Sequence, residues 1–284
     1  MPRAGVAVAT AYVLALGVAL LAGLAARGGH PIGVAFAADA AATVAVFAFS
    51  VAFRNSSFYD PYWSVAPLPI ALYWTAAGAP GVPGARRLAV LALLALWGAR
   101  LTYNWWRGWT GLDHEDWRYA RIREQTGSLY WPASFLGIHL FPTLMVFLGC
   151  LPLWPALAVG TRAPGLLDAL ALAVTGAAVW LEARADQELL RFRRRPDRRP
   201  EEILATGLWA RSRHPNYLGE MGFWWGLWLF GLAAAPGWWW TVIGPLAMTA
   251  MFRFASIPMI ERRMQERRPG YAEHMRRVPI IPRP

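Results

Sequence analysis

Lysine is absent from this chain of 284 residues, so all 28 of its basic side chains are arginine. That absence points to the base composition of the genome. Cysteine occurs once, at Cys150, which excludes an intrachain disulfide and any cysteine-based zinc site. Lying in an apolar run, Cys150 reads as a small buried hydrophobe. Charge is scarce at 16% of residues, where a soluble domain carries about 25%. No internal repeat and no file of acids along an ion path is evident, which argues against a transporter or scaffold.

Apolar length is what the chain has instead. Hydrophobic residues make up 56% of it, with 17 tryptophans. A bilayer span needs roughly 20 mostly apolar residues, and about eight runs approach that length. They are Val6–Ala26, Ile32–Phe53, Tyr62–Gly78, Leu88–Trp106, Phe135–Trp154, Leu166–Leu190, Leu218–Ala234 and Trp238–Ala255. The expected fold is all-α, a polytopic transmembrane bundle of seven or eight helices in a single domain, 1–284. Met1 to Ala26 resembles a signal peptide, but its apolar run exceeds a typical h-region, so a retained first helix is expected. Prolines within the spans act as kinks, and Ala-rich runs such as Ala169–Ala178 allow close helix packing.

The net charge of +11 does not imply nucleic acid, because the arginines flank apolar spans. Most of them fall in Arg107–Trp131, in Arg191–Asn216 and in the tail after Arg253, all on one side if eight helices hold. The positive-inside rule makes that side cytoplasmic; Arg86 and Arg87 fall on the other. The expected partners are membrane lipids and a lipophilic small molecule entering from the bilayer, with the chain acting as a monomer.

Polar groups beside hydrocarbon are costly, so clusters of them are functional candidates. Gly207 to Gly226 runs Arg211, Arg213, His214, Asn216, Tyr217 and Glu220 into a tryptophan-rich span. If a helix begins at Pro215, Asn216 and Glu220 share a face, and the helix start attracts phosphate. His214 alone reads more readily as a cap of this turn, and no metal is expected. Glu182, Asp186 and Arg193 share a face of the preceding span; they suit a nucleotide, or a helix-end ladder of ion pairs. Arg100, Asn104 and Arg107 recur on one face of another. Arg253 either snorkels or reaches a cofactor phosphate. The amphipathic tail from Glu261 either lies on anionic lipid or lids a cofactor. In the loop Asn55–Ser64, burial of Asp60 among Tyr59, Tyr62 and Trp63 would raise its pKa and make it a proton donor. An interfacial aromatic belt explains that loop equally well.

NSSFYDPYWSVAP, HEDWRYARIR, RSRHPNYLGE and IPMIERRMQERRPGYAEHMRRVPIIP together resemble the steroid 5α-reductase family, in particular a bacterial branch of it, from about Asn55 onward. The resemblance implies NADPH held in the cytoplasmic half, 180–284, at Asp186, Arg193, Asn216, Glu220 and Arg253, with Arg100 near the cofactor. The family's Gln-Glu pair reads here as Tyr59-Asp60. Its catalytic Tyr appears as Trp97 and a nearby Tyr as Asn104, so Tyr59 or Tyr62 would have to supply the phenol. Its late His and Tyr appear as Ile257 and Glu261. The implied activity is NADPH-dependent reduction of a C=C bond in a lipophilic enone, in a bacterial inner membrane. The RHPxY element is shared with isoprenylcysteine and phospholipid methyltransferases, which makes an S-adenosylmethionine-dependent lipid methyltransferase the alternative.

Overall fold

Proline decides where the helices of this chain start and where they deform. The computed structural model describes residues 2–282, and every regular element among them is helical. Met1 and Arg283, the outer ends of the leader-like segment and of the last basic cluster, lie outside the described residues. In order, the helices are α1 (Pro2–Ala25), α2 (Pro31–Ala52), α3 (Tyr62–Val65), α4 (Pro67–Ala76), α5 (Gly84–Gly108), α6 (Trp117–Thr126), α7 (Tyr130–Ser134), α8 (Phe141–Cys150), α9 (Leu166–Arg193), α10 (Pro215–Ala234), α11 (Ile243–Met251), α12 (Ile257–Arg267) and α13 (Tyr271–Arg277). Pro31, Pro67 and Pro215 each open a helix, where a missing N–H costs nothing. Wider π turns occupy Phe135–Leu140 and Phe252–Ser256. Pro142 and Pro258 follow them, and each proline ring would otherwise press on the carbonyl four residues back.

Six segments are long and apolar enough to cross a membrane: Ala4–Ala25, Pro31–Ala52, Gly84–Gly108, Trp117–Val159, Leu166–Arg193 and Pro236–Arg267. The chain is an integral membrane protein built as a helical bundle. The expected span Tyr62–Gly78 is divided between α3 and α4, and α10 is a 20-residue helix buried along one side against α9. α1 leans on α2 and exposes Val13, Leu20, Leu21 and Leu24, as a lipid-facing helix does. The core gathers around Trp74, Trp97, Phe223, Trp224 and Phe230.

The three basic segments meet at one end of the bundle. Arg121 pairs with Glu266 at 3.6 Å, and Arg263 lies 3.9 Å over the Trp117 ring. Arg86 and Arg87 are at the other end and are both engaged there. Arg86 donates to both oxygens of Asp168, at 2.6 and 3.0 Å, and to the Arg162 carbonyl; Arg87 donates to the Leu157 carbonyl.

Candidate functional site: a polar knot and an arginine-lined cavity

Small residues bring α9 and α10 into backbone contact, and this contact builds the site. A Cβ on Gly219 would lie 2.8 Å from the Ala178 carbonyl, and one on Gly226 would lie 2.1 Å from Thr175 Oγ1. Gly219 and Gly226 therefore let α10 sit directly on the Thr175, Ala178 and Glu182 face of α9. Glu182 and Glu220 are thereby brought together between the two helices.

α5 closes this knot from a third direction. Arg100 Nη2 lies 2.5 Å from Glu182 Oε1, and Nη1 donates to Asp186 Oδ2 at 2.8 Å. Asn104 donates to the same Asp186 oxygen at 2.8 Å, and Asn216 reaches Oδ1 at 3.4 Å. Arg107 bonds Asn104 and reaches Gln187 at 3.5 Å. The Trp97 and Trp224 indoles donate to the two oxygens of Glu220, at 3.0 and 2.9 Å. Trp97 is fully buried and stacked on Phe223 at 4.6 Å, a core position and not an exposed phenol. Glu182 Oε2, Arg100 Nε and Arg107 Nε are buried without hydrogen-bond partners. Unmet capacity of that kind is costly unless a ligand or water meets it.

Beside the knot, at the basic end, lies a cavity of about 140 Å³. Arg193, Arg213, His214, Asn216 and Tyr217 line it, so five of the residues singled out in the sequence meet there. Trp209, Arg268, Tyr271 and His274 complete the polar and aromatic wall, and no Asp or Glu is among the lining residues. Burial, then the charges of Arg213, Arg277 and His214, push His274 below the usual imidazole value. The field in the cavity is positive.

Arg213 also closes the cavity. Its Nε donates to Glu261 at 2.7 Å and its Nη1 to the carbonyls of Met275 and Val278; the backbone N–H donates to the Pro279 carbonyl. His214 Nε2 lies 3.0 Å from the same Glu261 oxygen, and its ring stacks on Tyr217. Ser212 Oγ donates to the Ile280 carbonyl at 2.5 Å. The RSRH segment thus clasps α12 and α13 over the cavity, and much of the donor capacity of Arg213 is used in doing so. Arg211 is exposed and outside the cavity wall. Arg253 is exposed over the Phe254 ring at 5.7 Å and also outside that wall.

Asp60 and the two candidate tyrosines part company. Asp60 sits in the α2–α3 connection, where Tyr119 donates to its Oδ1 at 2.5 Å. Burial pushes the Asp60 carboxyl up to about 6, against the opposing pull of Arg118 and Tyr119. Tyr59 and Tyr62 turn into the bundle instead. Tyr59 Oη is 2.8 Å from Thr143 Oγ1, and Tyr62 donates to Asp39 Oδ1 at 2.7 Å. Both hydroxyls are already used by the protein. Tyr119 is the phenol that accompanies Asp60, and sequence reasoning missed it. It missed Asp39 too, a buried acid near the middle of α2 whose Oδ2 has no partner. A lone acid in an apolar span was the available signal.

The geometry defines a helical membrane protein with a cation-lined cavity beside a buried carboxylate knot. By its sequence the chain belongs to the family described as "Protein of unknown function (DUF1295)", whose model matches residues 46–278. The steroid 5α-reductase resemblance holds at the wide level of that family. The uncharacterized protein C594.04c of Schizosaccharomyces pombe is 31% identical over 251 residues, covering 81% of this chain and 73% of the yeast protein. That relative is fungal, and no match places the chain in a bacterial branch. No solved structure matches.

Proposed function

We propose that this chain is an integral-membrane, NADPH-dependent reductase of a C=C bond in a lipophilic enone, sterol-like or isoprenoid. The observation that carries the reading is the acid-free wall of the cavity, where Arg193 and Arg268 stand with Trp209, Tyr217 and Tyr271. Guanidinium forks suit phosphate and flat rings suit a base. The sulfonium of S-adenosylmethionine would meet only like charge there, so the methyltransferase reading ranks second.

The donor chemistry fits an anionic dinucleotide, and the volume requires motion. Ligand pockets run roughly 300–1,000 Å³, so binding at this cavity requires α12 and α13 to lift on the Arg213 clasp. Bound NADPH supplies a hydride to an electron-poor carbon. The chain's own groups do the remaining work. Arg193 neutralises phosphate, and Asn216 links the cavity to the Asp186 knot. Asp60, oriented by Tyr119, offers a hydrogen bond in its protonated form to the carbonyl oxygen of the substrate, where negative charge develops. By the positive-inside rule the cavity faces the cytoplasm. Substrate enters from the bilayer past α1.

The test is the thermal stability of the detergent-solubilised protein with NADPH, NADH or S-adenosylmethionine, in the wild type and in Arg193→Ala. Stabilisation by NADPH that the variant loses is expected. Stabilisation by S-adenosylmethionine alone, or by none of the three, would sink the reductase reading.

A further inference from the structure

Several arginines at the basic end are matched by the protein's own carboxylates. Arg195 takes both Asp197 and Glu202, Arg184 takes Glu188, and Arg276 and Arg277 share Glu273. Arg193, Arg198 and Arg268 have no ion-pair partner among the described residues, and what sets them apart from other arginines without one, such as Arg191 and Arg194, is their place at the cavity. They come from three separate places: the last residue of α9, the loop after it, and the residue that follows α12.

All three converge on one spot. Arg193 and Arg268 line the cavity. Arg198 lies 5.7 Å over the ring of Phe192, which lines it as well. Burial, and then the like charges of Arg198, Arg193 and Arg267, push Arg268 below the usual guanidinium range. Arg198 and Arg268 are both half-buried, so water screens them only in part. Arg193 is exposed and feels Asp186 as well as Arg198; gathering like charges there is unfavourable by itself, and an anion held between them reverses the sign.

We infer that Arg193, Arg198 and Arg268 form a seat for a phosphate monoester at the mouth of the cavity. Three fixed guanidinium charges match a dianion better than the single charge of a phosphodiester. Two sources present that group at this end of the bundle. One is the ribose 2′-phosphate of NADPH, which rests on the reading above; the other is the headgroup of phosphatidic acid. Arg198 and Arg268 then decide between NADPH and NADH, a role that the spacing of residues in the sequence does not reveal.

The experiment compares NADPH with NADH, which has only the singly charged phosphates of its pyrophosphate bridge and no monoester, in the detergent-solubilised protein. A parallel arm compares nanodiscs of phosphatidylcholine with and without phosphatidic acid. Both are read as melting-temperature shifts in the wild type, Arg198→Gln and Arg268→Gln; neither side chain has a hydrogen-bond or ion-pair partner among the described residues, and glutamine keeps much of the apolar stem. Each variant should weaken NADPH by about tenfold, the worth of one charge-assisted hydrogen bond, and leave NADH unchanged. If phosphatidic acid alone shows the same arginine dependence, the seat stands with a lipid occupant and the NADPH reading falls. If NADH and NADPH act alike in all three proteins, the dinucleotide reading stands and the seat is refuted. No response to either probe, or responses that neither variant alters, also refutes it.

Discussion

Asp60→Asn should change how stability depends on pH, and the sign follows from the surroundings of the carboxyl. Burial raises Asp60 from 3.8 to about 6 despite Arg118 and the Tyr119 hydrogen bond. The difference corresponds to about 3 kcal/mol at ~1.4 kcal/mol per tenfold change in proton affinity. That is an upper bound, because Asp60 keeps some solvent contact. The folded chain holds the proton more tightly than the unfolded chain. The contribution of Asp60 is therefore fully present below pH 3.8 and is lost as pH rises through about 6. Asparagine keeps an acceptor for Tyr119 and has no proton to lose. Relative to the variant, the wild type should lose up to about 3 kcal/mol between pH 4 and 7. Thermal unfolding in one detergent, followed by tryptophan fluorescence across that range, measures the difference. A difference that does not vary with pH, or one in which the wild type gains on the variant as pH rises, would refute the reasoning. The latter would mean that Arg118 outweighs burial.

Three further outcomes follow from packing and pairing. Gly226→Ala drives a methyl into Thr175 and should lower the melting temperature by the equivalent of about 1–3 kcal/mol, whereas Gly176→Ala on the open side of α9 should not. Arg86→Met strands Asp168 and should cost about 3–5 kcal/mol, much of it recovered in the double variant Arg86→Met/Asp168→Leu. Arg213→Ala removes the clasp on Glu261, Met275 and Val278; limited proteolysis should then cut the tail beyond Arg268 faster than in the wild type, while Arg276→Ala leaves cleavage unchanged.

Part of the site was legible because it depends on local periodicity. Arg100, Asn104 and Arg107 share a face of α5, and all three do turn to α9. Pro215 opens α10 as expected, so Asn216 and Glu220 both face the Asp186 knot or its edge. What periodicity leaves open is the identity of a partner. Asp60 was expected beside Tyr59 or Tyr62, its neighbours in sequence, but the helical turn at 56–65 rotates those rings toward Thr143 and Asp39 and leaves the acid to Tyr119 on α6.

By itself the sequence determined the membrane class, the helix starts, the faces that carry polar groups and the end of the bundle that collects arginine. Each of these is set by residues within a few turns of one another, through apolar length, proline and the 3.6-residue repeat. Only the tertiary structure decided that Arg213 clasps the tail, that Arg253 faces outward, and that Arg193 and Arg268 share a cavity wall with no acid in it. Those outcomes depend on how closely α9 and α10 approach and on where α12 and α13 fold back. Such contacts join residues tens of positions apart, and no local pattern in the chain records them.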